Sequence, residues 1–149
     1  MTQEDKKLLL IDLCARLPYN VMVDYESHIC VLNEIDPACK NIDYITVRIQ
    51  DVERLMYAEN VMIENIKPYL RPMSSMTEEE KKDILQSLNI HGDIDNEGNL
   101  LLGVECDIIT LKVCKKYLGE LNKHMFDVCH MIEKGLAIEV TEENNPYKK

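Results

Sequence analysis

The sequence is poor in aromatic residues and in glycine. It contains no Trp, one Phe and seven Tyr in 149 residues, so its core must be built from aliphatic side chains and the eight Met. Five Gly leave little material for phosphate-binding loops, and neither G-x-x-x-x-G-K-[ST] nor G-x-G-x-x-G occurs. No apolar run reaches 18 residues, so we expect no membrane-spanning helix.

Positive charge is also in deficit. Lys and Arg number 17 against 27 Asp and Glu, which gives a formal net charge of −10. Non-specific binding to nucleic acid or to an anionic membrane requires clustered cations, and we therefore expect neither. The composition, 46% hydrophobic and 30% charged, is otherwise typical of a soluble globular protein with a single domain over residues 1–149.

Six cysteines are present, but their context indicates neither disulfides nor a metal site. The stretch "MTQEDKKLLLIDLC" puts acidic residues first and has a short apolar run, so we expect no signal peptide and reduced thiols in a cytosolic protein. No C-x₂-C pair accompanies His124 and His130, so we expect no zinc site. We interpret most of the thiols as small core residues. The six are Cys14, Cys30, Cys39, Cys106, Cys114 and Cys129.

The N-terminal residues predict a helix. Thr2 with Asp5 resembles a capping box, and the helix should end near Leu17 because Pro18 disfavours helical geometry in the residue before it.

Residues 18–70 are mainly of β type. Strands are predicted over 21–25, 28–35 and 43–49, with a two-residue turn at Glu26 and Ser27. Residues 51–58 fit either a helical turn or a strand, and residues 60–66 are ambiguous. Residues 18–70 as a whole therefore predict a small antiparallel sheet or an open barrel.

The segment "KPYLRPMSSMTEEEKKDIL" (67–85) is interpreted as a hinge. Each Pro holds the preceding residue extended, so the chain should leave the sheet here. Thr77 and Glu80 then form the T-x-x-E capping box of a helix that runs to about Leu88.

Residues 76–135 should be mainly helical. A turn cluster covers 91–99, and a strand is predicted over 100–106, with Asn89 and Ile90 as its candidate pairing partner. A helix should begin near Ile108 or Thr110, and a second should run over 125–134 and end at Gly135. A last strand (136–140) and a frayed tail (141–149) complete an α+β domain, with an N-terminal helix, a sheet, and then two to three helices with short extra strands.

Two sequence features could carry chemistry, and each has a simpler structural interpretation. Asp93, Asp95 and Glu97 begin like a calcium loop, but the twelfth position is Val104 where a Glu is required, so we predict a hairpin turn. No G-x-S-x-G elbow is present, and no catalytic residue, metal or cofactor is assigned. An assembled Cys–His pair stays open as a route to a small hydrolase.

Four cations are the candidate ligand-binding residues. Lys67 and Arg71 could hold an anion near the helix start at Thr77. The three glutamates of that first helical turn would repel the anion. A site would therefore need several cations to converge, because anions need paired donors. The candidates are Lys67, Arg71, Arg48 and Arg54.

Four phrases resemble a family of small hypothetical proteins of gut Bacteroidetes and their phages. They are "LLLIDLCARLPY" (8–19), "IKPYLRPMSSMTEEEKKDIL" (66–85), "LNKHMFD" (121–127) and "IEKGLAIEV" (132–140). The resemblance spans most of the chain, and its central phrase is specific. It implies an intracellular accessory protein of a phage, a prophage or its host, and it carries over no catalytic residue.

Three functions are consistent with these observations. The leading one is a non-enzymatic, phage- or prophage-related accessory protein that acts as a protein-binding module. The second is an oligomeric sponge that sequesters a small anionic signal such as a cyclic nucleotide, as an anti-defence protein would. The third is the Cys–His hydrolase. The partner is therefore an unidentified protein or a small anion, and homo-oligomerisation stays open.

Overall fold

The structure, a computed structural model, describes residues 1–36, 45–102 and 111–148 and confirms the α+β class. The helices are α1 (Gln3–Arg16), α2 (Glu78–Leu88) and α3 (Leu111–Lys123). The strands are β1 (Met22–Tyr25), β2 (His28–Asp36), β3 (Thr46–Asp51), β4 (Tyr57–Met62), β5 (Ile66–Leu70), β6 (Gly92–Ile94), β7 (Leu100–Leu102) and β8 (Ile138–Glu139). Short 3-10 turns occupy Leu17–Tyr19, Ile63–Asn65 and Met73–Ser75.

The N-terminal helix follows its local signals. The Thr2 hydroxyl accepts from the Asp5 backbone N–H and the Asp5 carboxylate accepts from the Thr2 N–H, which confirms the predicted capping box. The helix ends at Arg16, and Pro18 lies in the 3-10 turn that follows. Leu9 and Leu13 are fully buried against the sheet, so α1 fills one face of it.

The main sheet has six described strands in the order β4-β3-β2-β1-β5-β8. All neighbours are antiparallel except β5 and β8. The predicted turn joins β1 to β2, with both Glu26 and Ser27 left-handed at φ 51° and 65°. Positive φ at both central residues is the geometry whose twist suits a two-residue hairpin.

The sheet must be strongly curled. Only Ile63–Asn65 connects β4 to β5, yet these strands lie four places apart in the sheet. A flat sheet would separate them by about 19 Å at the usual strand spacing, whereas the four Cα–Cα steps of the connection reach only about 14 Å. The ambiguous residues 51–66 are thus a turn, β4, a 3-10 turn and the start of β5. The open, barrel-like expectation is closer to the structure than a flat sheet.

The interpretation of the proline segment as an exit from the sheet is wrong in its first half. Ile66–Leu70 is itself a strand between β1 and β8, with Pro68 opposite Val23. Proline is tolerated here because β8 pairs only with Tyr69 and Leu70 and does not reach Pro68. The second half is confirmed, since the capping box of Thr77 and Glu80 starts α2.

The small hairpin after α2 pairs residues other than those predicted. β6 pairs with β7 through Gly92–Ile94, so Asn89 and Ile90 are not the partner of β7. Asn89 instead ends α2 in a left-handed conformation, with φ 56°. Residues 103–106 of the predicted strand, and the predicted helix start at 108–110, lie outside the described residues.

The predicted helix over 125–134 is not formed. Residues 125–135 are a series of turns, in which Met125 and His130 have positive φ (59° and 54°). The buried Asp127 carboxylate accepts from the backbone N–H groups of Met131 and Ile132 at 2.8 and 2.9 Å, which replaces helical hydrogen bonds. Gly135 is left-handed as predicted, with φ 68°.

The C-terminal tail is not frayed. The Tyr147 hydroxyl accepts from the Met22 N–H (3.1 Å) and donates to the Tyr69 carbonyl (2.9 Å). Met22 and Tyr69 would be the next rung of the β1–β5 ladder after Val23 and Pro68, so the phenol bridges strands where direct pairing stops. The predicted strand 136–140 is present in shortened form as β8.

Two apolar clusters form the core of the part of the chain that the structure describes. One lies between α1, the curled sheet and the turns of residues 125–137, and the other joins α2, α3 and the β6–β7 hairpin. Cys30 is buried in the first cluster and Cys129 packs beside it, but Cys14 and Cys114 are exposed, so the core interpretation is wrong for those two. Cys39 and Cys106 lie outside the described residues.

Candidate interaction surface

The turn between β3 and β4 is organised by one carboxylate. Asp51 Oδ1 accepts from the backbone N–H groups of Glu53 and Arg54, at 2.9 and 2.8 Å. These bonds, the Arg54 contact first, hold the pKa of Asp51 below its usual value. The Asp51 backbone also bonds to Leu55 and Met56, so the turn is a closed, ordered loop.

Leu55 has an unusual conformation in this turn. Its φ is 55°, in the left-handed region that suits Gly or Asn, and its side chain is 69% exposed. Left-handed backbone costs an ordinary L-residue roughly 1–2 kcal/mol. The Leu55 side chain is not buried, so no burial free energy offsets that cost. For folding alone, glycine would be more favourable at this position.

Apolar side chains cluster around this leucine. Of the ten large hydrophobic side chains that are exposed among the described residues, four lie within Val52–Tyr57. A fifth, Ile29, is adjacent, because its carbonyl accepts from the Val52 N–H at 3.0 Å. We call this set the tip surface. It comprises Ile29, Val52, Leu55, Met56 and Tyr57.

A row of paired charges, called the charge ladder below, crosses β2, β3 and β4 on the face of the sheet away from α1. Arg48 on β3 reaches Glu34 on β2 at 3.2 Å and Glu59 on β4 at 3.3 Å. Both neighbouring strands shift register beside Arg48, and Asn60 in the β4 irregularity has φ 57°. Such bulges change the direction in which side chains point. Here they bring the carboxylates of Glu34 and Glu59 to the Arg48 guanidinium, in a shallow depression.

A second polar cluster joins the end of β5 to α2. Arg71 makes two bonds to the Glu80 carboxylate (2.6 and 3.0 Å), donates to the Ser75 carbonyl and lies 4.5 Å from the Phe126 ring centroid. Its backbone also bonds to Met125 and Asp127. Arg71 therefore ties three chain segments together, and three of its five guanidinium N–H groups are bonded to Glu80 and Ser75.

Glu80 gives this cluster a pH dependence. Burial raises the pKa of Glu80, but the hydrogen bonds from Arg71 and Thr77 and the Arg71 charge outweigh it and lower the pKa to about 2. The ordinary value is 4.5. A depressed carboxyl pKa contributes stability above the unfolded-state pKa, and this contribution is lost as the pH falls through the folded-state pKa.

We therefore expect Glu80→Gln to cost about 2–3 kcal/mol of unfolding free energy at pH 7. The difference from the native chain should shrink as the pH falls from 4.5 to 2, because Glu80 is protonated in the unfolded native chain in this range while the folded chain takes up its proton only near pH 2. Urea unfolding at several pH values measures this. Glu79→Gln, at an exposed position of the same helical turn, is the matched control. A cost for Glu80→Gln that does not change with pH would contradict the assignment.

The four candidate cations lie in different parts of the fold. Arg48 and Lys67 sit on β3 and β5, with β2 and β1 between them in the sheet. Arg54 is in the β3–β4 turn, and Arg71 follows β5. Arg48 and Arg71 already face carboxylates, so no described site brings the four together around an anion.

The calcium-like loop and the cysteines, the other candidates for chemistry, have structural explanations. The Asp95 carboxylate accepts from Glu97 and Asn99 within its own hairpin turn, which confirms the turn interpretation. Burial raises the pKa of Cys129 and of Cys30, the latter to about 11, and partial desolvation raises the pKa of the exposed Cys14, so these thiols stay protonated near neutral pH. The described ranges contain no group of three or more His, Cys, Asp or Glu side chains arranged to hold a metal ion.

Sequence reasoning missed the tip surface. Residues 51–58 fit both a helical turn and a strand, and the exposure of Leu55, Met56 and Tyr57 depends on which neighbours the fold supplies. The available signal was Asp51, since an Asp side chain favours a turn by bonding to the backbone two residues further along.

Comparison with known proteins returned no significant match to a protein-family model, a curated protein or a solved structure. Within the described residues, no helix combines the length and the apolarity needed to cross a bilayer.

Proposed function

We propose that this chain is a non-enzymatic protein-binding module whose contact region is the tip surface. The observation that carries the proposal is Leu55, which is exposed and left-handed in a turn that Asp51 otherwise orders well. Strained residues that packing does not explain cluster at functional positions. Contiguous exposed apolar side chains with a polar rim are typical of protein–protein contact sites.

The wider setting of the proposal rests on the sequence resemblance alone. It makes the chain an accessory protein of a phage or prophage of Bacteroidetes, and its partner a protein of the host cell. Sequestration of a small anion is the less favoured function, because Arg48 and Arg71 are engaged with carboxylates and the four candidate cations are dispersed.

The test is capture of a binding partner from a Bacteroidetes lysate by the immobilised protein and two variants. Leu55→Asp places a charge in the tip surface, and aspartate accepts left-handed geometry better than leucine. Leu118→Asp, on the exposed side of α3, is the matched control. We expect Leu55→Asp to reduce recovery of the partner about tenfold, as loss of an interface hot spot does.

Leu118→Asp should recover the partner as the native chain does. Equal recovery with all three proteins would contradict the proposal, provided that thermal unfolding shows all three folded.

A further inference from the structure

We propose that β4 receives an extended partner segment that carries an apolar and a basic side chain two residues apart. This inference rests on the proposed function and names the chemistry of the partner. The structural basis is the juxtaposition of Tyr57 and Glu59 on β4, next to the tip surface.

β4 is the terminal strand of the sheet among the described residues. Only β3 pairs with it there, so its other side offers backbone hydrogen-bonding groups to an added strand. Tyr57 is 60% exposed and lies opposite Gln50, which alternates with the buried Ile49 and so points away from α1. Glu59 reaches Arg48 on this same outer face.

The spacing of these side chains fixes the spacing in the partner. Residues i and i+2 of a strand share a face and lie about 7 Å apart. A segment paired with β4 would therefore place one side chain beside Tyr57 and the next on that face beside Glu59. The irregularity at Asn60 ends regular pairing, so the contact is limited to a few residues and to the tip surface.

The charges select a cation at the second position. Glu34 and Glu59 share one guanidinium, that of Arg48, so the charge ladder carries an excess of one negative charge. Both carboxylate side chains are more than half exposed and can turn toward an incoming group. The net charge of −10 adds a field that attracts cationic and repels acidic segments. A Lys or Arg beside Glu59 is therefore favoured.

Fluorescence anisotropy with three labelled nine-residue peptides tests this inference. All have a Ser/Thr background; one carries Leu and Lys at i and i+2, one carries them at i and i+1, and one replaces Lys by Glu at i+2. We expect the first peptide to bind about fivefold more tightly than either other, the discrimination typical of cross-strand pairs. Glu59→Lys should reverse the preference between Lys and Glu peptides.

Equal affinities for the three peptides, no binding of the first peptide, or an unchanged preference in Glu59→Lys would overturn the inference. So would a concentration-dependent dimer in ultracentrifugation that Glu59→Lys abolishes, because it would assign β4 to a second copy of the chain. A different result would contradict the proposed function, namely partner capture by Leu55→Asp that equals capture by the native chain. Loss of capture in Leu55→Asp without peptide discrimination would remove this inference alone.

Discussion

Replacing Asp12 by alanine should lower the free energy of unfolding by about 3–5 kcal/mol, as expected when one partner of a buried ion pair is removed. Asp12 and Arg16 are 2% and 0% exposed and lie one turn apart on α1. Arg16 Nε and Nη2 donate to the two Asp12 oxygens at 2.7 and 2.8 Å. Without Asp12 the guanidinium would keep only the Phe126 carbonyl as a polar partner among the described residues, since Nη1 has none there.

The double variant Asp12→Leu, Arg16→Met separates a buried-charge effect from a packing effect. It removes both charges at similar volume, so we expect it to recover most of the lost stability. Equilibrium urea unfolding of the native chain, the single variant and the double variant gives the comparison. If the double variant is as unstable as Asp12→Ala, the cost comes from packing and the ion-pair explanation fails.

Truncation after Val140 should cost about 3 kcal/mol, although residues 141–149 look dispensable in the sequence. The loss would combine the packing of the Tyr147 ring on the core with the two hydrogen bonds of its hydroxyl. Tyr147→Phe isolates the hydrogen bonds and should cost about 1–2 kcal/mol, because the Met22 N–H and the Tyr69 carbonyl lose their partner. Lys148→Ala, at an exposed position, is the matched control.

Alkaline pH provides a second measurement of the same residue. Burial raises the pKa of Tyr147 from 10 to about 12. A raised pKa contributes stability that is complete below pH 10 and is lost as the pH rises toward 12. Tyr147→Phe should therefore reduce the loss of stability at alkaline pH. Burial also raises the pKa of Tyr117 to about 12, so Tyr117 should account for another part of that loss.

For the truncation after Val140, an unfolding free energy equal to that of the native chain would show that the tail contributes nothing to stability.

The parts of the fold that the sequence predicted are those with local causes. The two capping boxes depend on residues three apart, and the end of α1 depends on Pro18, so a short window contains the full information. The turn at Glu26 and Ser27 was placed correctly because alternation on both sides leaves only two residues to connect the strands.

The errors share a different cause, which is competition from distant groups. The apolar spacing of residues 125–134 fits a helix, but Asp127 binds two backbone N–H groups and Arg71 pairs with Phe126 as a β-bridge. The polar tail looks frayed because its anchor, Tyr147, bonds to residues 78 and 125 positions away. The candidate cations were chosen for charge, and sequence does not reveal that Arg48 and Arg71 meet carboxylates.

The position of β5 has a consequence for biosynthesis. Its neighbours are β1 and β8, whose nearest residues, Tyr25 and Ile138, are 113 positions apart in the chain, and Tyr147 closes the rung between β1 and β5. A nascent chain that has emerged only as far as residue 137 carries α1 and five of the six described strands of the main sheet, but Tyr69 and Leu70 of β5 still lack their partners in β8. The main sheet can therefore be completed only after residues 138–147 have left the exit tunnel.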